Sequence, residues 1–260
     1  MTTFLGPNDF DGSFEPQRAD AKTGGQSTYH GKVVFTNIDQ KIVANALPQG
    51  LRLAEKKISA TPDLHPIVYL YGHQTKTKWV IRGKNIPVGQ DYQELILLIP
   101  FVQLVDHENW HNYVVRMYLN DRAARDIGNK FFGYAKHDAT FDETATEFTV
   151  LVDSRPTFHA RIETLGPWQT STDAERTLPH YRDIQTIFEM PALGMKKVKK
   201  NPRFVCSYFE WKYDAAEIAP VQSQHWLLLS GPLTSVPDGA IAIRNLEWRI
   251  KSPPLPPCEF

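Results

Sequence analysis

The stretch YLNDRAARDIGNKFFGYAKH, Tyr118 to His137, decides how the chain is read. It parses as the end of a strand, a short helix capped by Asn120 or Asp121, a stop at Gly128, and a second strand with one lysine among aromatics. Strand alternation puts Phe132, Tyr134 and Lys136 on one face and His137 on the other. Turned inward, that face holds an amine against rings with little water. Desolvation disfavours the charged form, so the amine becomes a nucleophile near neutral pH, able to condense with a ketone as an iminium. Turned outward, it is a lysine lying along two rings in solvent.

Around this segment the signals are mostly β. Runs rich in Val, Ile, Tyr, Phe and Trp occur at Lys32–Thr36, Ile67–Tyr71, Lys78–Arg82, Glu94–Val102, Tyr113–Leu119, Glu147–Val152, Thr157–Glu163, Phe204–Lys212, Trp226–Leu229 and Ile241–Ile250. Helical signals are few. Asp39 caps QKIVANAL, with Ile42, Val43 and Ala46 on one face and Pro48 as the stop, and Arg182–Glu189 ends at Pro191. Strands that outnumber helices without βαβ alternation predict a mainly β (α+β) fold. The expected form is a closed antiparallel β-barrel or curled sheet with a few peripheral helices. The expected organisation is an N-terminal arm over 1–28, the β domain over 29–252, and a Pro-rich tail over 253–260.

Composition narrows the function. Lys plus Arg number 29 and Asp plus Glu number 29 in 260 residues, so no basic footprint points to bulk nucleic-acid binding. The longest apolar run, Leu95–Val105, is interrupted by Pro100 and Gln103 and falls far short of the roughly 20 residues of a membrane span. The cysteines, Cys206 in an expected strand and Cys258 in the tail, are too few for a disulfide framework, and a cytoplasmic location is expected.

Two further places carry chemistry. Glu94, in YQELILLIP, sits on a strand whose two faces are both apolar, so it is either an end-of-strand carboxylate or a buried one with a raised pKa suited to proton delivery. His107-Glu-Asn-Trp-His111 fits the HExxH pattern, which holds zinc only on a helix; here it runs into the β-branched YVVRMYL. A loop before a strand is expected and no metal site is assigned, with a zinc hydrolase using His107, Glu108 and His111 as the outlying alternative.

Together these pieces resemble the acetoacetate decarboxylase family. The likeness rests on DQKIVANALPQGL (Asp39–Leu51), on Gly89-x-x-Tyr92-x-Glu94, on MYLND followed by Ala124, Gly128 and Gly133-Tyr134-Ala135-Lys136, and on the closing stretch Ile241–Ile250. The resemblance implies Lys136 as the Schiff-base lysine, Glu94 as an active-site glutamate, a closed β-barrel, a homo-oligomer and no cofactor. The chain departs from the family pattern at several points. His137 stands where a second lysine is kept, Ala135 where a proline is, tyrosines near Tyr69–Tyr71 where a second glutamate is, and no arginine lies in Tyr29–Gly31.

The expected function is a cofactor-free lyase in which Lys136 condenses with a small oxo acid or ketone and Glu94 shuttles the proton. Phe132 and Tyr134 wall the pocket, while His137 and Arg116 are candidate substrate contacts, Arg116 as a replacement carboxylate clamp. Aldol addition or dehydration by the same iminium chemistry is the nearest alternative. A non-catalytic metabolite-binding barrel is a third.

Overall fold

A computed structural model of the chain describes residues 23–54, 63–81, 84–86, 91–178, 180–196, 203–227, 231–234 and 239–252. The expected tail, the first 22 residues of the expected arm and Gly89 lie outside these.

The first described element is β1 (Thr23–Asp39), so residues 23–28 belong to the sheet rather than to an arm. The helix α1 (Gln40–Ala46) follows, capped by Asp39, whose carboxylate accepts from Lys41 N at 2.8 Å and Ile42 N at 3.3 Å. Of its expected apolar face only Val43 is buried, and Ile42 is 63% exposed. Next come β2 (Leu51–Leu53), β3 (Leu64–Ile81), β4 (Lys84–Ile86), β5 (Tyr92–Leu104) and β6 (His111–Leu119). The strands expected from Ile67 and from Lys78 are thus one long strand, β3. Helix α2 (Arg122–Ile127) continues into a π-helical turn (Gly128–Phe132), followed by β7 (Lys136–Asp138), β8 (Thr140–Glu143), β9 (Glu147–Val152) and β10 (Arg155–Thr164). Then come β11 (Gln169–Thr170), α3 (Ser171–Thr177), α4 (Tyr181–Glu189), β12 (Ala192–Lys196) and β13 (Arg203–Lys212). The last strands are β14 (Glu217–Leu227), β15 (Gly231–Thr234) and β16 (Ala240–Ser252).

Sheet order runs β1-β3-β5-β6-β12-β13-β16, and β16 pairs back onto β1, so the strands close into a ring. The ring is mixed rather than purely antiparallel, because β6 runs parallel to both β12 and β7. From β16 the order continues through β14, β10 and β9 to β8 as a second layer.

Alternation then sorts side chains into two cores. Val33, Phe35, Val68 and Leu70 join one cluster, while their neighbours Val34, Ile67, Tyr69 and Tyr71 join another with Phe148, Val150 and Phe158 of the second layer. Each such buried side chain contributes about 1.5–3 kcal/mol. Helix α4 packs Tyr181, Ile184, Ile187 and Phe188 into the first cluster, spaced at i, i+3 and i+4. Cys206, buried in β13, is disulfide-bonded, which removes the cysteine argument for a cytoplasmic location. No helix among the described residues is long and apolar enough to cross a membrane.

Candidate active site

Lys136 opens β7, paired with Met117 of β6. The residues before it are not the strand that alternation implies. Asp121 caps α2 by accepting from Ala124 N at 2.6 Å, and the helix widens directly into the π-helical turn. Gly133 then reverses the chain at φ 66°, a left-handed value that glycine adopts without cost. Asn129 closes the loop, its side chain accepting from Lys136 N at 2.8 Å and donating to Lys136 O at 3.0 Å. The lysine tail passes directly over Gly128, where a Cβ would lie 2.3 Å from Lys136 Cε. Phe132 and Tyr134 still arrive beside Lys136, their rings stacked at 5.8 Å, but the turn brings them there and not strand parity.

Glu94 enters the same space from β5 and is 2% exposed. Its Oε1 accepts from Gln74 Nε2 at 2.5 Å, and Gln74 Oε1 accepts from Trp248 Nε1 at 2.8 Å. Side chains from β3, β5 and β16 thus fix the carboxyl in one orientation. Lys136 Nζ donates to Ala124 O at 3.3 Å.

The cavity they share measures about 100 Å³, against about 10–15 Å³ for one water position, so a small organic molecule fits. Lys136 and Glu94 are the charged side chains in its wall, and most of the remainder is apolar or aromatic. Phe132 lies 5.6 Å from Trp79, and Trp248 lies 5.5 Å from Phe209.

This setting moves both groups toward neutrality. Burial lowers the Lys136 pKa below 10.5, opposed by the negative charges of Glu94 and then Asp121. Burial likewise raises Glu94 above 4.5, opposed by Lys136 and then by the Gln74 hydrogen bond. Although part of Lys136 remains open to solvent, its amine lies beneath Gly128 and among the cavity walls.

The other candidates lie elsewhere. Arg116 is exposed, its guanidinium donating to Tyr118 Oη at 3.3 Å, and does not line the cavity. A bulge explains this: Leu97 pairs with Arg116 but Leu98 with Val114, so one extra residue interrupts alternation and Met117 and Val114 take the inward positions. His137 is also exposed and outside the cavity, its ring 5.7 Å from that of Tyr118. Both are therefore corrected as cavity contacts in this structure.

The HExxH residues adopt turn and coil until His111 begins β6. Zinc would need the helix that is missing there. Among the described residues no group of three metal-ligating side chains assembles.

Sequence reasoning missed Gln74, Trp248 and Asn112. Gln74 carried no local signal, because it falls between the strands expected at Ile67–Tyr71 and Lys78–Arg82 and faces inward only on the single long strand they form.

The ring, its second layer and the cavity at its core form the fold of acetoacetate decarboxylase. Solved structures similar to this chain include acetoacetate decarboxylase from Legionella pneumophila subsp. pneumophila str. Philadelphia 1, at TM-score 0.58 and 13% identity, covering 98% of this chain and 99% of that one. An acetoacetate decarboxylase-like enzyme from Sphingomonas wittichii RW1 matches at TM-score 0.56 and 10% identity, covering 90% and 92%. The enduracididine biosynthesis enzyme MppR, complexed with the condensation product of pyruvate and imidazole 4-carboxaldehyde, matches at 0.54 and 12%, covering 88% and 86%. No family model and no curated protein matches the sequence. At such identities the likeness establishes the fold.

Proposed function

We propose that the protein is a cofactor-free lyase that forms a Schiff base between Lys136 and the carbonyl of a small oxo acid. The observation that carries this is the pairing of Lys136 and Glu94 in one apolar cavity, with the amine driven toward its neutral form and the carboxyl toward its acid form.

The neutral amine adds to the carbonyl carbon, and loss of water gives an iminium. When the substrate is a 3-oxo acid, breaking the bond between its carboxylate and the carbon next to the iminium sends the electron pair to the iminium nitrogen, releasing carbon dioxide and leaving an enamine. Protonated Glu94 then donates its proton to the enamine carbon, and water hydrolyses the iminium to free product and amine. The acid form of Glu94 is restored from solvent. Phe132 and Tyr134 keep the amine dry, and Gln74 orients Glu94.

A second reading uses the same iminium for aldol addition or dehydration. It is favoured by a lining that, among the described residues, holds no arginine to clamp a carboxylate, and by the bound condensation product of MppR, a neighbour in fold. The experiment is product analysis with 3-oxo acids, and with pyruvate plus an aldehyde, for the wild type and Lys136→Met. Carbon dioxide release supports decarboxylation, whereas a new carbon–carbon bond supports the aldol reading. Turnover undiminished in Lys136→Met overturns both.

A further inference from the structure

Resting on the Schiff-base reading, we infer that the substrate carries an elongated apolar body ending in a hydrogen-bond donor, recognised by Asn112. The cavity does not end near the reactive pair. On β6 its wall runs from Met117, the partner of Lys136, back through Val114 to Asn112, five residues or about 16 Å of strand from Met117. Beside Asn112 the lining is apolar: Ala192, its partner on β12, together with Phe188 and Met190. A two- or three-carbon oxo acid fills only the end that holds Lys136 and Glu94.

Asn112 is the polar exception in this remote part, and it is 4% exposed. Its Nδ2 donates to Ile187 O at 2.5 Å and Met190 O at 3.2 Å. Carbonyls only accept, so these two bonds settle which amide atom is nitrogen. The remaining atom, Oδ1, is buried with no hydrogen-bond partner among the described residues. A buried acceptor left this way is costly unless something donates to it, on the order of 1–3 kcal/mol. The group that satisfies it is a hydroxyl or N–H at the far end of the substrate, a ketone, aldehyde or oxo acid whose apolar body follows the wall between.

The test uses matched ketones on the wild-type protein, which avoids any folding defect: acetone, and phenyl and 4-hydroxyphenyl methyl ketones paired at chain lengths from four to ten carbons, the longest reaching along the wall from Lys136 to Asn112. Each is titrated against borohydride reduction, with the adduct at Lys136 quantified by peptide mass. The expected order of half-saturation is a long hydroxyaryl ketone tightest, by about tenfold over its phenyl pair, and acetone weakest. Asn112→Leu, checked for folding by circular dichroism, should erase the difference within that pair. Acetone trapping as readily as the aryl ketones overturns the inference, as does a hydroxyl without effect at every chain length in the wild type. If no carbonyl compound is trapped, including pyruvate, the Schiff-base reading fails, and this inference with it.

Discussion

Replacing Gly128 by alanine separates the position of the amine from the stability of the fold. Gly128 has φ −60° and ψ −47°, helical values that alanine adopts freely. In a helix alanine is favoured over glycine by about 0.5–1 kcal/mol. The new methyl would meet Lys136, at 2.3 Å from Cε, 2.4 Å from Cδ and 2.8 Å from Nζ. Carbon atoms in ordinary contact stand about 3.5–4.0 Å apart, so the lysine tail must retreat by about 1 Å. That tail is flexible, and the backbone has no need to yield. An overpacking cost of about 1–3 kcal/mol is then partly offset by the helical gain, leaving a loss of at most about 2.5 kcal/mol. A melting temperature within about 10 °C of the wild type follows for a chain of this size. A displacement near 1 Å at a reacting atom costs about 100-fold in rate. Thermal denaturation and turnover, measured on the same preparation, should therefore part company. Gly128→Ala with full activity would refute the placement of the nucleophile under Gly128, and outright unfolding would refute the claim that the lysine tail absorbs the clash.

Three other outcomes follow from the same geometry. Glu94→Gln, which keeps a side chain of similar shape beside Gln74, should still permit iminium trapping but lower turnover about 10²–10⁴-fold, as read by comparing adduct formation with steady-state rates. The rate should rise with pH as Lys136 loses its proton at a pKa held below 10.5, then fall as Glu94 loses the proton it donates at a pKa held above 4.5; a rate flat across both limbs would contradict this. His225 is fully buried with neither ring nitrogen hydrogen-bonded, and burial holds it down to about 4 from 6.5. The unfolded chain therefore binds the extra proton between those values, so stability present above pH 6.5 is lost as pH falls toward 4, by about 3 kcal/mol. Denaturant titrations should show the wild type losing stability relative to His225→Phe as pH falls from 6.5 toward 4 if this is right, and a gap independent of pH if it is not.

Much of the fold is written locally. Asp39 and Asp121 announce their helices because a cap is a contact between near neighbours. The strand Glu147–Val152 begins and ends where β propensity places it. Helix α3, by contrast, was not anticipated: Thr170 caps it, but its seven residues carry a single buried side chain, Ala174, and so no apolar period.

The site was legible in its two charged residues and illegible in their surroundings. Lys136 stands out because aromatics flank it within a few positions. Gln74 meets Glu94, and Trp248 meets Gln74, only through pairings between strands distant in sequence. Arg116 was a candidate clamp by residue type and strand alone, and the structure leaves it exposed, with Val114 and Met117 lining the cavity on either side of a bulge. The π-helical turn was also unforeseen; in it Gly128 lies directly under the Lys136 tail, a contact that local pattern does not announce.

The account turns on one covalent bond. Incubation with a panel of ketones and oxo acids, reduction with borohydride and peptide mapping of the product should locate the added mass on Lys136 and on no other lysine. Adducts spread over surface lysines with Lys136 unmodified would contradict it.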